Sequence, residues 1–166
     1  ASALDLGTGS GAIAVTLACE RPAMAVCAVD ASPESLAVAR ANAARHGAHV
    51  EFMEGSWYAP VEGRRFDLVV ANPPYVAAGD HHLEEGDLRH EPRGALTDGS
   101  PDGLDSIRAI VSGAPAHLKN GGWLLIEHGY DQAAACRALF AGAGFVDFAA
   151  IPDLAGITRV AAGRLQ

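Results

Sequence analysis

The sequence predicts an α/β domain built on a doubly wound, mainly parallel seven-stranded sheet with an antiparallel strand pair at its C-terminal end. Three observations carry this. Short apolar runs alternate with segments whose apolar residues recur at helical spacing. A glycine-rich turn joins the first run to the first such segment, as in strand–loop–helix units. The last two runs stand too close together for a parallel crossover, which needs a dozen residues or more.

Ala3 to Leu6 is the end of a buried strand, broken by Gly7-Thr8-Gly9-Ser10-Gly11, and a helix from Ala12 to Glu20 is stopped by Pro22. Ala25 to Val29 forms a second strand ending at Asp30. Ser32-Pro33-Glu34 starts a helix, with Ser as N-cap, Pro at the first helical position and Glu near the positive end of the dipole. That helix reaches His46 and exits at Gly47, with Leu36, Ala39 and Ala43 on one face. Val50 to Met53 and Phe66 to Ala71 are the third and fourth strands. Helix Leu104 to Leu118, strand Trp123 to Glu127 and helix Asp131 to Ala143 continue the alternation, and strands Val146 to Ile151 and Thr158 to Ala162 close it. Pro73 to Gly103 carries no convincing element, and a loop that long in one domain is usually functional.

The chain has 166 residues, 49% of them hydrophobic and 19% charged, which describes one packed domain and excludes a disordered tail. A net charge of −8 argues against direct nucleic-acid binding, which needs clustered positive charge. No apolar run is long enough to span a membrane. Cys19, Cys27 and Cys136 are widely spaced, with no Cys-x-x-Cys, and are read as reduced core thiols of a cytoplasmic protein. His81, His82 and His90 lack the spacing of a metal site and are read as a solvated loop. Glu84, Glu85 and Asp87 form an acidic loop, read most simply as a hydrated surface, with a basic partner surface as the sharper alternative. Glu127 and His128 are read as structural elements near the crevice.

Glycines at Gly7, Gly9 and Gly11 allow a tight turn and let a ligand touch the backbone, beside the unpaired N–H groups of a helix N-terminus. Asp30 lies nineteen residues after Gly11, at the end of the second strand, where a carboxylate accepts both hydroxyls of a ribose. The pair points to an adenosine-type cofactor without saying which, because Gly7, Gly9 and Ala12 also satisfy the dinucleotide pattern. A P-loop is excluded, since no Gly-Lys-Ser/Thr follows.

Asn72-Pro73-Pro74-Tyr75 follows the fourth strand at its carboxyl end, where ligands of open parallel sheets bind. The prolines lack N–H donors and stiffen the backbone, leaving carbonyl oxygens as fixed acceptors. Asn72 adds a side-chain carbonyl and Tyr75 a flat aromatic face. Such a rigid acceptor pair suits a planar group bearing an NH2.

With Asp5-Leu6 ahead of the glycine turn, these motifs resemble class I S-adenosylmethionine-dependent methyltransferases acting on planar nitrogens. Further segments are similar to the release factor glutamine methyltransferases: Gly55-Ser56-Trp57, His82-Leu83, Gly86-Asp87, Arg89, Glu91-Pro92, Ala95-Leu96 and Leu124-Leu125-Ile126-Glu127-His128-Gly129. The resemblance implies a Rossmann-like fold and methyl transfer from S-adenosyl-L-methionine, yielding S-adenosyl-L-homocysteine. The acceptor would be the side-chain amide of the glutamine in the Gly-Gly-Gln motif of peptide chain release factors. It implies that Gly7, Thr8, Gly9, Ser10 and Gly11 hold the methionine part of the cofactor, that Asp30 holds its ribose, and that Trp57 lines the adenine side. Asn72 would stand between cofactor and substrate, with Pro73, Pro74 and Tyr75 completing the amide site. It also implies that residues 1–166 are a catalytic domain without the family's N-terminal helical recognition domain. We expect release factors as partners, no metal, no membrane and a monomer. Two alternatives fit the bare motifs: a methyltransferase acting on an exocyclic amino group of a nucleic-acid base, and a nicotinamide-dependent dehydrogenase.

Overall fold

Side chains of a strand alternate between faces, and here that alternation sorts the core into two layers. The computed structural model describes residues 1–79 and 96–166. Its elements are β1 (Ser2–Leu6), α1 (Ala12–Glu20), β2 (Ala25–Asp30), α2 (Pro33–His46), β3 (Val50–Glu54), β4 (Phe66–Ala71), α3 (Asp105–His117), β5 (Leu118–Glu127), α4 (Ala133–Gly142), β6 (Phe145–Pro152) and β7 (Thr158–Leu165). The strands form one sheet in the order β3-β2-β1-β4-β5-β7-β6. β1 to β5 pair in parallel, and β7 runs antiparallel between β5 and β6. The expected α/β fold, with its antiparallel C-terminal pair, is the observed one.

Register explains the layers. Leu4 faces Cys27 on one side and Val69 on the other, and Leu6 likewise faces Val29 and Ala71. These residues bury against Ile107, Ile110 and Ala114 of α3 and Cys136 and Phe140 of α4. Full burial of a side chain such as Ile110 or Phe140 stabilises by about 1.5–3 kcal/mol. Val26 and Ala28 point the other way and pack on Ala14 and Ala18 of α1. Asp5 pairs with Ala28, so it too faces α1.

The helix starts differ. Ser32 caps α2 as expected, its hydroxyl accepting the Ser35 N–H at 3.1 Å, and Gly47 ends the helix in the left-handed region. α1 has no side-chain cap at Gly11; the Asp5 carboxylate accepts the Ala14 N–H from below instead. Gly11 has φ +81°, and a Cβ there would stand 3.0 Å from the Ala39 Cβ and 3.2 Å from its Cα. Gly11→Ala is therefore expected to destabilise the fold by about 1–3 kcal/mol, read as a lowered thermal midpoint, because strained φ and close packing of α1 on α2 act together.

Several boundaries moved. β5 begins at Leu118 rather than Trp123, since Lys119-Asn120-Gly121-Gly122 forms the irregular start of a strand rather than a turn. The Lys119 ammonium holds it to Asp67 across the pair at 2.8 Å. β7 continues to Leu165, opposite Phe145. The stretch between β3 and β4 carries a 3-10 turn at Ala59–Val61. Val61 is buried, and Tyr58 stacks on His117 at 4.4 Å while its hydroxyl donates to the Ile110 carbonyl. Cys27 and Cys136 are core thiols, pushed up to about 11 mainly by burial. Cys19 corrects the core assignment: it lies exposed, with its Sγ 3.9 Å from the His46 carbonyl at the end of α2. His81, His82, Leu83, Glu84, Glu85, Gly86, Asp87, Arg89, His90, Glu91, Pro92 and Ala95 lie outside the described residues.

Candidate active site

β1 is flanked by β2 on one side and β4 on the other, so the chain's progress across the sheet reverses there. The carboxyl ends of strands at such a point part to form a crevice. A cavity of about 1000 Å³ opens here, lined by residues that follow β1, β2, β3 and β4.

The glycine turn forms its floor. Gly7 and Gly9 adopt φ of +67° and +56°, which a glycine holds without strain. The Gly7 and Thr8 N–H groups both donate to the Val29 carbonyl, at 2.9 and 3.0 Å. The Gly9 N–H donates to Asp30 Oδ2 at 2.8 Å, and Asp30 Oδ1 accepts the Ser32 N–H at 2.9 Å. One carboxylate thus ties the turn to the end of β2 and to the start of α2. Each of its oxygens keeps a further lone pair for a ligand hydroxyl. A Cβ on Gly9 would meet nothing within 4 Å, so the turn leaves open space above it.

Trp57 closes the side after β3. Its Cζ3 would lie 3.4 Å from a Cβ on Gly7. Its φ is +44°, rare for an aromatic residue and costing about 1–3 kcal/mol. The segment is held from both sides, by Gly55 N–H on the Asp30 carbonyl and Ala59 N–H on the Ser56 carbonyl, each at 3.0 Å.

Asp5 is the residue that sequence reasoning left without a role. It is 1% exposed yet lines the cavity. Oδ2 accepts the Thr8 hydroxyl at 2.6 Å and the Ala14 N–H at 3.2 Å, while Oδ1 has no partner. Burial pushes its carboxyl up from 3.8 to about 6, against the pull of the Thr8 and Ala14 hydrogen bonds and with a smaller push from Asp30. A carboxyl raised on folding favours the folded state when protonated. That contribution is complete below about pH 4 and is lost as pH rises through about 6. Asp5→Asn removes the charge, so its thermal midpoint should exceed that of the wild type by a margin that grows from about pH 4 to about pH 6 and then levels off. A constant margin across thermal melts in that range would contradict the assignment.

On the far side stands the segment after β4. Asn72 is exposed and lines the cavity with Pro74, while Pro73 is buried behind them. The Tyr75 hydroxyl donates to Glu127 Oε1 at 3.0 Å. His128 is fully buried, with Nδ1 on the Gly129 carbonyl at 2.7 Å. Glu127 and His128 are therefore engaged apart from one another and do not line the cavity.

Among the sequence-predicted residues, Gly7, Thr8, Gly9, Ser10, Asp30, Trp57, Asn72 and Pro74 meet in this one cavity. Gly11, Pro73 and Tyr75 do not line it: Gly11 serves helix packing, and the other two stand behind Asn72 and Pro74. Ile13, Ser35 and Val38 line it without having been anticipated. Ile13 and Val38 are exposed apolar side chains on helices, and nothing local distinguishes them from ordinary surface positions. Among the described residues, no group of three or more His, Cys, Asp or Glu is placed to hold a metal ion, and no helix is long and apolar enough to cross a membrane.

The chain is 55% identical over 161 residues to a release factor glutamine methyltransferase of Xylella fastidiosa, covering 96% of this chain and 58% of that protein. It is 55% identical over 163 residues to the protein of the same name from Neisseria gonorrhoeae, covering 96% and 59%. The chain thus spans about three-fifths of the length of these curated relatives. Among solved structures, it resembles a ribosomal protein L11 methylase from Lactobacillus delbrueckii subsp. bulgaricus, with a TM-score of 0.70, 23% identity and coverage of 99% of this chain and 70% of that one. A 16S rRNA methyltransferase of T. thermophilus, solved with AdoMet and guanosine, matches with a TM-score of 0.73, 21% identity and coverage of 99% and 37%. The family model of the methyltransferase small domain matches residues 1–87, which hold the glycine turn, Asp30, Trp57 and the segment after β4, and the chain belongs to that family.

Proposed function

We propose that this chain transfers a methyl group from S-adenosylmethionine to the side-chain amide nitrogen of a glutamine in peptide chain release factors. The observation that carries the reading is the meeting, in one cavity, of a ribose-type carboxylate and glycine turn with Asn72 and Pro74 of the segment after β4. The names of the relatives reported above support the choice of acceptor.

The residues present fit the cofactor. Asp30 would hold the ribose hydroxyls, Trp57 the adenine side, and the Gly7–Ser10 turn the methionine part. Asp5 Oδ1, buried and without a partner, offers an acceptor to a cationic ammonium. When bound, S-adenosylmethionine supplies an electrophilic methyl group on its sulfonium.

The chain's own task follows from amide chemistry. An amide nitrogen shares its lone pair with the carbonyl, so it is a poor nucleophile, and its proton is held too tightly for a side-chain base to remove beforehand. Asn72 Oδ1 and the Pro73 carbonyl, accepting the two N–H bonds, would turn that lone pair toward the cofactor. Orientation and fixed dipoles then do the work, and the proton leaves after methylation, when the nitrogen is cationic. No general base is required.

The test offers tritium-labelled S-adenosylmethionine with release factor, with release factor in which the Gly-Gly-Gln glutamine is alanine, and with tRNA or DNA. Label is expected on the first alone. Label on nucleic acid but not on release factor would replace this function with base methylation.

A further inference from the structure

We infer that Gln132, at the start of α4, is a positioning residue that fixes the Asn72-Pro73-Pro74-Tyr75 segment in its acceptor geometry, an inference that rests on the function proposed above. Gln132 is 7% exposed, and its amide is used at both ends. Nε2 donates to the Tyr75 carbonyl at 3.0 Å and to the Asp102 carbonyl at 2.9 Å, and Oε1 accepts the Gly129 N–H at 2.8 Å. One side chain thus joins three segments that follow β4, precede α3 and follow β5. Only an amide supplies two donors and an acceptor at this reach without placing a charge in a buried site.

The fit around it is close. A Cβ on Gly103 would collide with the Tyr75 carbonyl, and a Cβ on Gly129 would come within 3.1 Å of Gln132 Oε1. The joined segments are also laced together by Val76 N–H on the Leu96 carbonyl and Ala78 N–H on the Ser100 carbonyl, at 2.9 and 2.8 Å. Glu127 holds the Tyr75 ring tip.

The consequence for the acceptor site follows from proline geometry. At one end Ala71 is fixed by its register with Leu6 and Ile126. At the other, the Tyr75 carbonyl is fixed by Gln132. Between them, Pro73 and Pro74 have φ near −65°, and each restricts the residue before it to an extended conformation. With both ends held and the middle stiff, the Pro73 carbonyl and the Asn72 side chain have little freedom. Releasing the Tyr75 carbonyl loosens them, and a misplacement of about 1 Å costs on the order of 100-fold in rate.

Gln132→Glu keeps the acceptor toward Gly129 but loses the NH2, and Gln132→Met keeps the length and loses both functions. For each variant, cofactor affinity is measured by calorimetric titration, kcat and KM with release factor, and hydrogen exchange at the Val76 and Ala78 amides. We expect kcat to fall by about 100-fold, cofactor Kd to stay within about two-fold, and both amides to exchange at least about ten-fold faster. A structural role alone would weaken cofactor binding alongside kcat, and that result overturns the inference. So would unchanged kcat in an active background, unchanged exchange at Val76, or failure of both variants to fold, which would make Gln132 a folding residue. If the wild type leaves release factor unlabelled, the proposed function fails, while exchange at Val76 and Ala78 still decides whether Gln132 holds the segment.

Discussion

Asn72→Ala should lower kcat for glutamine methylation by about 100-fold while changing cofactor Kd by no more than about two-fold. Asn72 follows β4 and is exposed in the cavity, so removing its amide costs the fold little. The loss falls on orientation. Under the proposed function, one of two acceptors for the substrate NH2 would be gone, and the nitrogen lone pair would no longer be directed at the methyl group. Removal of a single preorganised polar group from such a site typically costs 100- to 1000-fold, on the order of 3–4 kcal/mol. Trp57→Phe is the contrast. It keeps an aromatic face against the cavity, so its effect should stay below about ten-fold and fall on cofactor affinity rather than kcat. Steady-state kinetics on the two variants decides the assignment, and equal mild losses in both would count against it.

The second large effect belongs to Asp30. Its carboxylate holds the Gly9 and Ser32 N–H groups, so Asp30→Ala removes the proposed ribose acceptor and unfastens the glycine turn together. Hydrogen bonds to a charged group are worth about 1.5–3 kcal/mol each, which makes a loss of cofactor affinity of at least about 100-fold the expected result. Asp30→Asn should fall between, because an amide oxygen accepts one N–H while its NH2 opposes the other. Calorimetric titration reads both. A change below about three-fold for Asp30→Ala would place the ribose elsewhere.

Most of this architecture was legible because its signals are local. Leu4, Leu6, Val26 and Ala28 announce buried strands by composition, and Ser32-Pro33 announces a helix start through its own backbone chemistry. Asn72-Pro73-Pro74-Tyr75 announces a stiff segment at the end of a strand because two prolines mean rigidity wherever they occur. Signals that depend on distant partners were silent. Gln132 acts on carbonyls 57 and 30 residues away, and no local pattern marks an amide that will bridge them. Asp5 sits inside a motif that was read for its glycines, and its burial depends on α1 packing over β1. The 3-10 turn at Ala59–Val61 exists because Tyr58 and Val61 find α3 beneath them, more than forty residues later in the chain. Lys119 to Gly122 lies outside the strand expected from Trp123, yet the pair with Asp67 across the sheet draws it into β5. Gly11 shows the reverse: its local signal was plain, yet it serves the contact between α1 and α2 rather than the cavity wall.

The central claim is that the acceptor segment after β4 presents an amide nitrogen to the cofactor. Tandem mass spectrometry of release factor, after incubation with the protein and S-adenosylmethionine, tests it most directly. One methyl group on the side-chain nitrogen of the Gly-Gly-Gln glutamine, abolished by Asn72→Ala, is the predicted result. A methyl group on any other atom of the release factor, or one that survives Asn72→Ala undiminished, would contradict it.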